Sequence, residues 1–274
     1  YLNVGKSGEV NHILNRYRIF VLGAGFSSAA GVPLAAELWH EVQRRAHSLT
    51  GRAGKFHEDL EAYIEYRKNC DHVTLSPEEV NFEDFLAFLD IEHYLGLRGS
   101  DTWSVDGNET QVVVKTLIGQ ILANAMPGVD AVPELYRRFA AALQPDDYVL
   151  TFNYDVLLER ALESVGRSFR LFPKRYLNVR QHHAEVDSSR EDVVVLKLHG
   201  SIDWFDRTQH SQLAAEWASQ GFNSQPEDPV FSNAEALDVV PLIDGPRFPD
   251  DSLREMHRVR RLDRLYERPV LFHS

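Results

Sequence analysis

The sequence predicts an α/β fold, a parallel sheet with helices on both faces and a helical insertion. Three observations carry that prediction. Residues 18–22, 148–151 and 193–198 are short runs rich in β-branched and aromatic side chains, the composition of strands. Segments with apolar residues at helical spacing lie between them. Each of the three runs leads straight into small and polar residues, which in an open α/β sheet is where ligands bind.

Taken in order, the first run, Arg18-Ile19-Phe20-Val21-Leu22, stops at Gly23 and reads as a strand buried on both faces, because it is continuously apolar after Arg18. Leu34, Leu38 and Val42 recur every four residues and mark a helix through about Ala46. Residues 56–95 then hold eleven acids against two bases, so −9 of the chain's net charge of −12 lies in this one block. Within it Phe82, Phe85, Leu86 and Leu89 fall at i, i+3, i+4 and i+7, the stripe of an amphipathic helix. The block reads as part of a helical insertion over about residues 50–130. Its acids form either solvated helix faces or a contact surface for a partner.

Two further helices are predicted over residues 112–126 and 132–143, the second presenting Leu135, Phe139 and Leu143 on one face. Residues 145–147 break the pattern, residues 148–151 form the next strand, and residues 156–165 are helical again. Residues 193–198 give the strongest strand signal, and residues 269–274 are strand-like at the end of the chain. All 274 residues are read as one domain, and the start at Tyr1 suggests that it is part of a longer protein.

Composition narrows the function classes. Apolar residues at 43% and charged residues at 26% exclude global disorder. The acidic balance argues against a nucleic-acid surface, which needs clustered lysine and arginine. It does not argue against an anionic small ligand, since backbone amides hold phosphates without a basic patch. No apolar run reaches the roughly 18 residues of a membrane span, and no signal-peptide pattern is present, so no membrane association and a cytoplasmic location are expected. Cys70 is the one cysteine, which excludes a disulfide framework and a four-cysteine zinc site within these residues, and it reads as a small buried or half-buried hydrophobe. His182 and His183 are adjacent, and His40 and His47 lack a suitable third ligand, so no metal is expected. An arginine-dense tail (Arg254, Arg258, Arg260, Arg261, Arg264, Arg268) is opposite in sign to the acidic block, and the two are candidate contact surfaces or ordinary solvated faces.

The loops after the three strands hold the candidate chemistry. Gly23-Ala24-Gly25-Phe26-Ser27 allows a tight turn and close approach of backbone to a pyrophosphate, or is a strand-to-helix turn without ligand. In Thr151-Phe152-Asn153-Tyr154-Asp155, Asp155 suits capping of the following helix, which leaves Asn153 unassigned. Lys197-Leu198-His199-Gly200-Ser201 places a histidine at the third strand end.

These residues carry a resemblance. Gly23-Ala24-Gly25-Phe26-Ser27 followed by Gly31-Val32-Pro33 resembles the sirtuin glycine loop, Asn153-Tyr154-Asp155 its Asn-x-Asp loop, and His199-Gly200 its His-Gly segment. The tyrosine in the second loop and the run Asn81-Phe82-Glu83-Asp84-Phe85-Leu86 are similar to the bacterial NADases of that family that act in antiphage defence. The resemblance covers roughly residues 18–205 and implies a Rossmann-like fold. It departs from deacetylating sirtuins in lacking the cysteines of their zinc module, in having Leu34-Ala35-Ala36 where they have Asp-Phe-Arg, and in lacking their later adenosine-side loop.

What the resemblance implies is an NAD+ glycohydrolase that releases nicotinamide and ADP-ribose. NAD+ is then a substrate, cradled at its diphosphate by Gly23, Ala24, Gly25 and Ser27, with Phe26 and Gly200 also in the binding loops. Asn153 is the catalytic residue that orients water or ribose hydroxyls, being donor and acceptor at once. His199 is the catalytic residue that accepts or holds a ribose hydroxyl proton, and Asp155 receives the nicotinamide carboxamide. The reaction needs an oriented nucleophile at an oxocarbenium-like ribose more than it needs a strong acid. A lethal activity of this kind also implies restraint by homo-oligomer assembly or by a regulatory sensor partner. The alternatives are a module that senses NAD+ or an ADP-ribose-type nucleotide without cleaving it, and a protein deacylase or ADP-ribosyltransferase.

Overall fold

The computed structural model describes residues 18–49, 54–97, 109–145, 147–171, 175–180, 183–187, 191–206, 215–221 and 268–271. Among these the fold is α/β and Rossmann-like, centred on a four-stranded parallel sheet. Its strands are β1 (Ile19–Leu22), β2 (Tyr148–Thr151), β6 (Val193–Lys197) and β3 (Phe169–Arg170), in the spatial order β1-β2-β6-β3. The register pairs Leu22 with Thr151 and Thr151 with Lys197, so the three predicted strands end side by side. Two antiparallel pairs lie apart from this sheet: β4 (Arg175–Arg180) with β5 (His183–Asp187), and β7 (Gly200–Asp206) with β8 (Arg268–Leu271).

The helices are α1 (Gly25–Ser28), α2 (Ala35–Ala46), α3 (Phe56–Cys70), α4 (Phe82–Tyr94), α5 (Glu109–Ala125), α6 (Glu134–Ala142) and α7 (Leu157–Ser164). All four residues of the predicted α4 stripe are buried. They pack into an aromatic cluster in which Trp39 of α2 meets Phe56, Phe82 and Phe85, and Tyr63 meets Phe85 and Phe88. One continuous apolar core joins this cluster to Val149, Val193 and Val195 of the sheet. The helices of the insertion region are therefore packed onto the body that carries the strand ends. No helix among the described residues is long and apolar enough to cross a membrane.

Three expectations are corrected. β1 is not covered on both faces: Ile19 and Val21 share a face and are 60% and 65% exposed, while Phe20 turns inward onto Phe139, and among the described residues β1 lies at the edge of the sheet. An edge position leaves one side of the strand without a neighbour, and continuous apolarity does not distinguish it from a central strand. On α6 the buried positions are Tyr136 and Ala140, followed by Leu143, whereas Leu135 is 65% exposed. Phe139 and Leu143 do face the core, Phe139 meeting Phe20 and Phe26, so only Leu135 departs from the predicted face, and Tyr136 packs inward in its place. Cys70 is exposed at the end of α3. Residues 254–264 of the arginine tail and His182 lie outside the described residues.

Candidate functional site

The three loops meet because their strands are neighbours. Past the last register pairs, the Phe152 N–H donates to the Leu22 carbonyl at 3.1 Å and the Leu198 N–H to the Thr151 carbonyl at 2.9 Å. The sheet ladder thus continues into the loops and locks them together.

After β1 the chain enters α1 at once, with the Phe26 N–H donating to the Gly23 carbonyl at 2.9 Å and the Ser27 N–H to the Ala24 carbonyl at 3.1 Å. Gly23 and Gly25 are not required by backbone angle. A Cβ built on either meets nothing within 4 Å, so what glycine provides here is open space over an exposed backbone. Gly31 differs: its φ of 82° demands glycine and ends the turn. The Phe26 ring turns away from the loop onto Tyr136 and Phe139, at 5.1 and 5.4 Å between centroids, and its carbonyl accepts from the Tyr136 hydroxyl at 2.8 Å. Phe26 anchors the loop on α6 and leaves its glycines facing outward.

Ser27 is fully buried, and its Oγ accepts from Asn153 Nδ2 at 3.1 Å. The first and second loops are joined by that bond. Asn153 is 7% exposed, its own N–H donates to Thr151 Oγ1 at 3.1 Å, and its Oδ1 is buried with no hydrogen-bond partner among the described residues. A buried acceptor without a partner costs about 1–3 kcal/mol. Such an atom calls for a partner that the described residues do not supply.

Asp155 does what its helix asks of it. Oδ1 accepts from the Leu157 N–H at 3.0 Å at the start of α7, so the capping role is realised and the carboxylate is 6% exposed. Its carbonyl receives Lys197 Nζ, which also pairs with Glu159 Oε1 at 2.9 Å. Lys197 and Glu159 form a buried ion pair between β6 and α7, and burial raises the Glu159 carboxyl above its usual range against the opposing pull of Lys197. Next to this pair the Ser201 hydroxyl donates to Asp203 Oδ1, and the Tyr154 carbonyl accepts from the Ile202 N–H at 2.9 Å. The third loop is tied to the second by these bonds.

His199 occupies the turn between β6 and β7. Gly200 has φ 83°, the left-handed angle that lets the chain turn directly after the histidine. The imidazole is flanked by Phe152, edge-on at 5.1 Å, and by Tyr154, tilted by 38° at 6.1 Å. Its Nδ1 lies 3.7 Å from Glu83 Oε1 on the first turn of α4. Burial and then the Glu83 charge push the Tyr154 phenol well above its ordinary range, so that hydroxyl is neutral at physiological pH. Phe152 and Leu198 are 42% and 44% exposed, an apolar rim at the strand ends.

The structure therefore links Ser27 to Asn153 directly and Asn153 to His199 through Phe152. It gives Phe26, Asp155 and Gly200 packing, capping and turning roles. No three histidine, cysteine, aspartate or glutamate side chains cluster as metal ligands among the described residues.

Residues 147–223 match the SIR2-like domain family. The SIR2-like segment contains Asn153, Asp155 and His199 and does not extend to the glycine loop after β1. SIR2-like domains are typically enzymes that use NAD+. No curated protein matches the chain. Two residues outside the predicted site set, Lys197 and Glu83, lie against members of it, Lys197 Nζ donating to the Asp155 carbonyl and Glu83 facing His199. Both lie in runs that carry candidate chemistry or the resemblance, Lys197 before His199-Gly200 and Glu83 within Asn81-Phe82-Glu83-Asp84-Phe85-Leu86, but local residue order does not show that they meet Asp155 and His199.

Proposed function

We propose that this chain is an NAD+ glycohydrolase, releasing nicotinamide and ADP-ribose, and an effector of bacterial antiphage defence by NAD+ depletion. The observation that supports it most is the buried, unpartnered Oδ1 of Asn153, held by Ser27 at the end of β2 next to an open glycine turn. An amide oxygen there suits a water or ribose hydroxyl that donates to it. The open space over Gly23 and Gly25 suits close approach of a diphosphate to backbone amides.

In this reading Asn153 orients the attacking water or the ribose, and His199 holds or takes a hydroxyl proton. Gly23, Ala24 and Gly25 carry the diphosphate with Ser27 buried behind them holding Asn153, and the exposed rim of Phe152 and Leu198 receives the nicotinamide ring. NAD+ brings its own leaving group as a pyridinium, so positioning by the chain supplies most of the rate. Homo-oligomer assembly or a sensor partner keeps such an activity off until it is triggered; this belongs to the proposal and follows from the resemblance to antiphage NADases.

The test is incubation of the purified chain with adenine-labelled NAD+, alone and with the products of neighbouring genes. Free labelled ADP-ribose with stoichiometric nicotinamide supports hydrolysis. Label retained on protein means a transferase. Thermal stabilisation by NAD+ with no product means a sensing module, and either result overturns the proposal.

A further inference from the structure

One acid of the insertion region is set apart from the rest. Glu83 stands in the first turn of α4, and its N–H donates to Asn81 Oδ1 at 2.9 Å, which fixes where the helix begins. Phe82, Phe85, Leu86 and Leu89 are buried, so the helix is held in rotation by four side chains. The direction of Glu83 follows from that packing, and it is toward His199.

We propose that Glu83 is a positioning residue for His199: its carboxylate holds the imidazole by Nδ1 and keeps Nε2 as the unprotonated, proton-accepting nitrogen. This rests on the reading of His199 as a reacting group. A carboxylate only accepts hydrogen bonds, so a neutral imidazole facing it places its single proton on Nδ1. The lone pair is then on Nε2, which makes no hydrogen bond among the described residues. At 3.7 Å the contact is at ion-pair reach and longer than a formed hydrogen bond. Contacts of this kind commonly tighten when substrate binds. The surroundings restrict the ring otherwise: Phe152 meets it edge-on, Tyr154 lies tilted beside it, and the side chains of His199 and Glu83 are 19% and 30% exposed. The neutral Tyr154 hydroxyl adds no competing charge.

The consequence is that helix α4 completes the site. The acidic block, read from sequence as a solvated or partner-facing surface, contributes a carboxylate to the His199 turn.

The test uses the full chain labelled with ¹⁵N-histidine, the His199 signals being assigned by their loss in His199→Ala. The expected spectrum of neutral His199 is Nδ1 protonated and Nε2 bare. Glu83→Ala should move it to the Nε2-protonated form that free imidazole side chains favour. In kinetics, Glu83→Ala should lower kcat about 10- to 100-fold with little change in KM. Glu83→Gln, which keeps an acceptor oxygen, should recover most of that loss. If Glu83→Ala does not fold, the wild-type spectrum and Glu83→Gln still decide. An Nε2-protonated His199 in the wild type, or a tautomer and kcat indifferent to Glu83, overturns the proposal. The expected tautomer in a chain that cleaves no NAD+ supports the Glu83–His199 pairing and overturns the proposed reaction instead.

Discussion

Asn153 Nδ2 donates to Ser27 Oγ at 3.1 Å, and through that bond the loop after β2 depends on the short helix after β1. Both residues are buried, and Asn153 keeps its Oδ1 without a partner beside the bond. The donor end of the amide is used for position, and in the proposed reaction the acceptor end meets water or a ribose hydroxyl.

Ser27→Ala removes the acceptor and leaves Asn153 Nδ2 buried and unsatisfied. A loss of about 1–3 kcal/mol in stability is expected, together with weaker NAD+ binding. Denaturant melts and calorimetric titration with NAD+ check it. A variant as stable as the wild type, with unchanged affinity, would show that the bond positions nothing.

The two classes of glycine separate binding from folding. Gly23→Ala adds a methyl that meets nothing within 4 Å, so stability should be unchanged while KM for NAD+ rises. Gly200→Ala forces a side chain into φ 83°, at a cost of about 1–2 kcal/mol, and shifts His199. Thermal melts alongside steady-state kinetics distinguish the two patterns.

Lys197→Met leaves Glu159 buried without its cation, and a single broken partner of this kind typically destabilises by about 3–5 kcal/mol at neutral pH. Burial already raises the Glu159 carboxyl, and losing Lys197 raises it further. The folded variant therefore takes up a proton more readily than its unfolded chain, and its deficit should shrink as pH falls through the raised value. Replacing both, as Lys197→Met with Glu159→Leu, should restore much of the stability. Urea melts at several pH values measure all three effects.

Asp147 acts at the opposite end of the sheet. Burial disfavours its ionised form, but hydrogen bonds from the Arg18 guanidinium and the Gln144 and Arg18 N–H groups outweigh this and hold its carboxyl below the usual range. A lowered folded value contributes stability above the unfolded pKa, about 3.9, and loses it as pH falls below that. Asp147→Asn should be less stable at neutral pH and should lose less on acidification to about pH 2. Parallel acid-limb melts of the two proteins give the comparison.

The strand runs, the apolar stripe of α4 and the loops carrying Gly23, Asn153 and His199 were legible because each depends on local residue order. The parallel sense of β1, β2 and β6 followed from the strand–helix alternation, whereas their order as direct neighbours, which puts the loops together, is seen only in the fold. What local order does not carry is neighbourhood. β3 is two residues long and is held by pairing with β6 rather than by propensity. The exposure of Ile19 and Val21 depends on which strand lies at the edge. Glu83 and His199 come from distant parts of the chain, and only the packing of α4 brings them together. The packing of the Phe26 ring on Tyr136 and Phe139 of α6 is likewise not written in the order of the glycine loop.

The most direct measurement is the initial rate of nicotinamide release from NAD+ by the wild-type chain and by Asn153→Ala, each verified as folded by its melt. Release by the wild type and a fall of about 10²- to 10³-fold in the variant is the predicted result. Equal rates in the two proteins would contradict the assignment of Asn153 to the reaction.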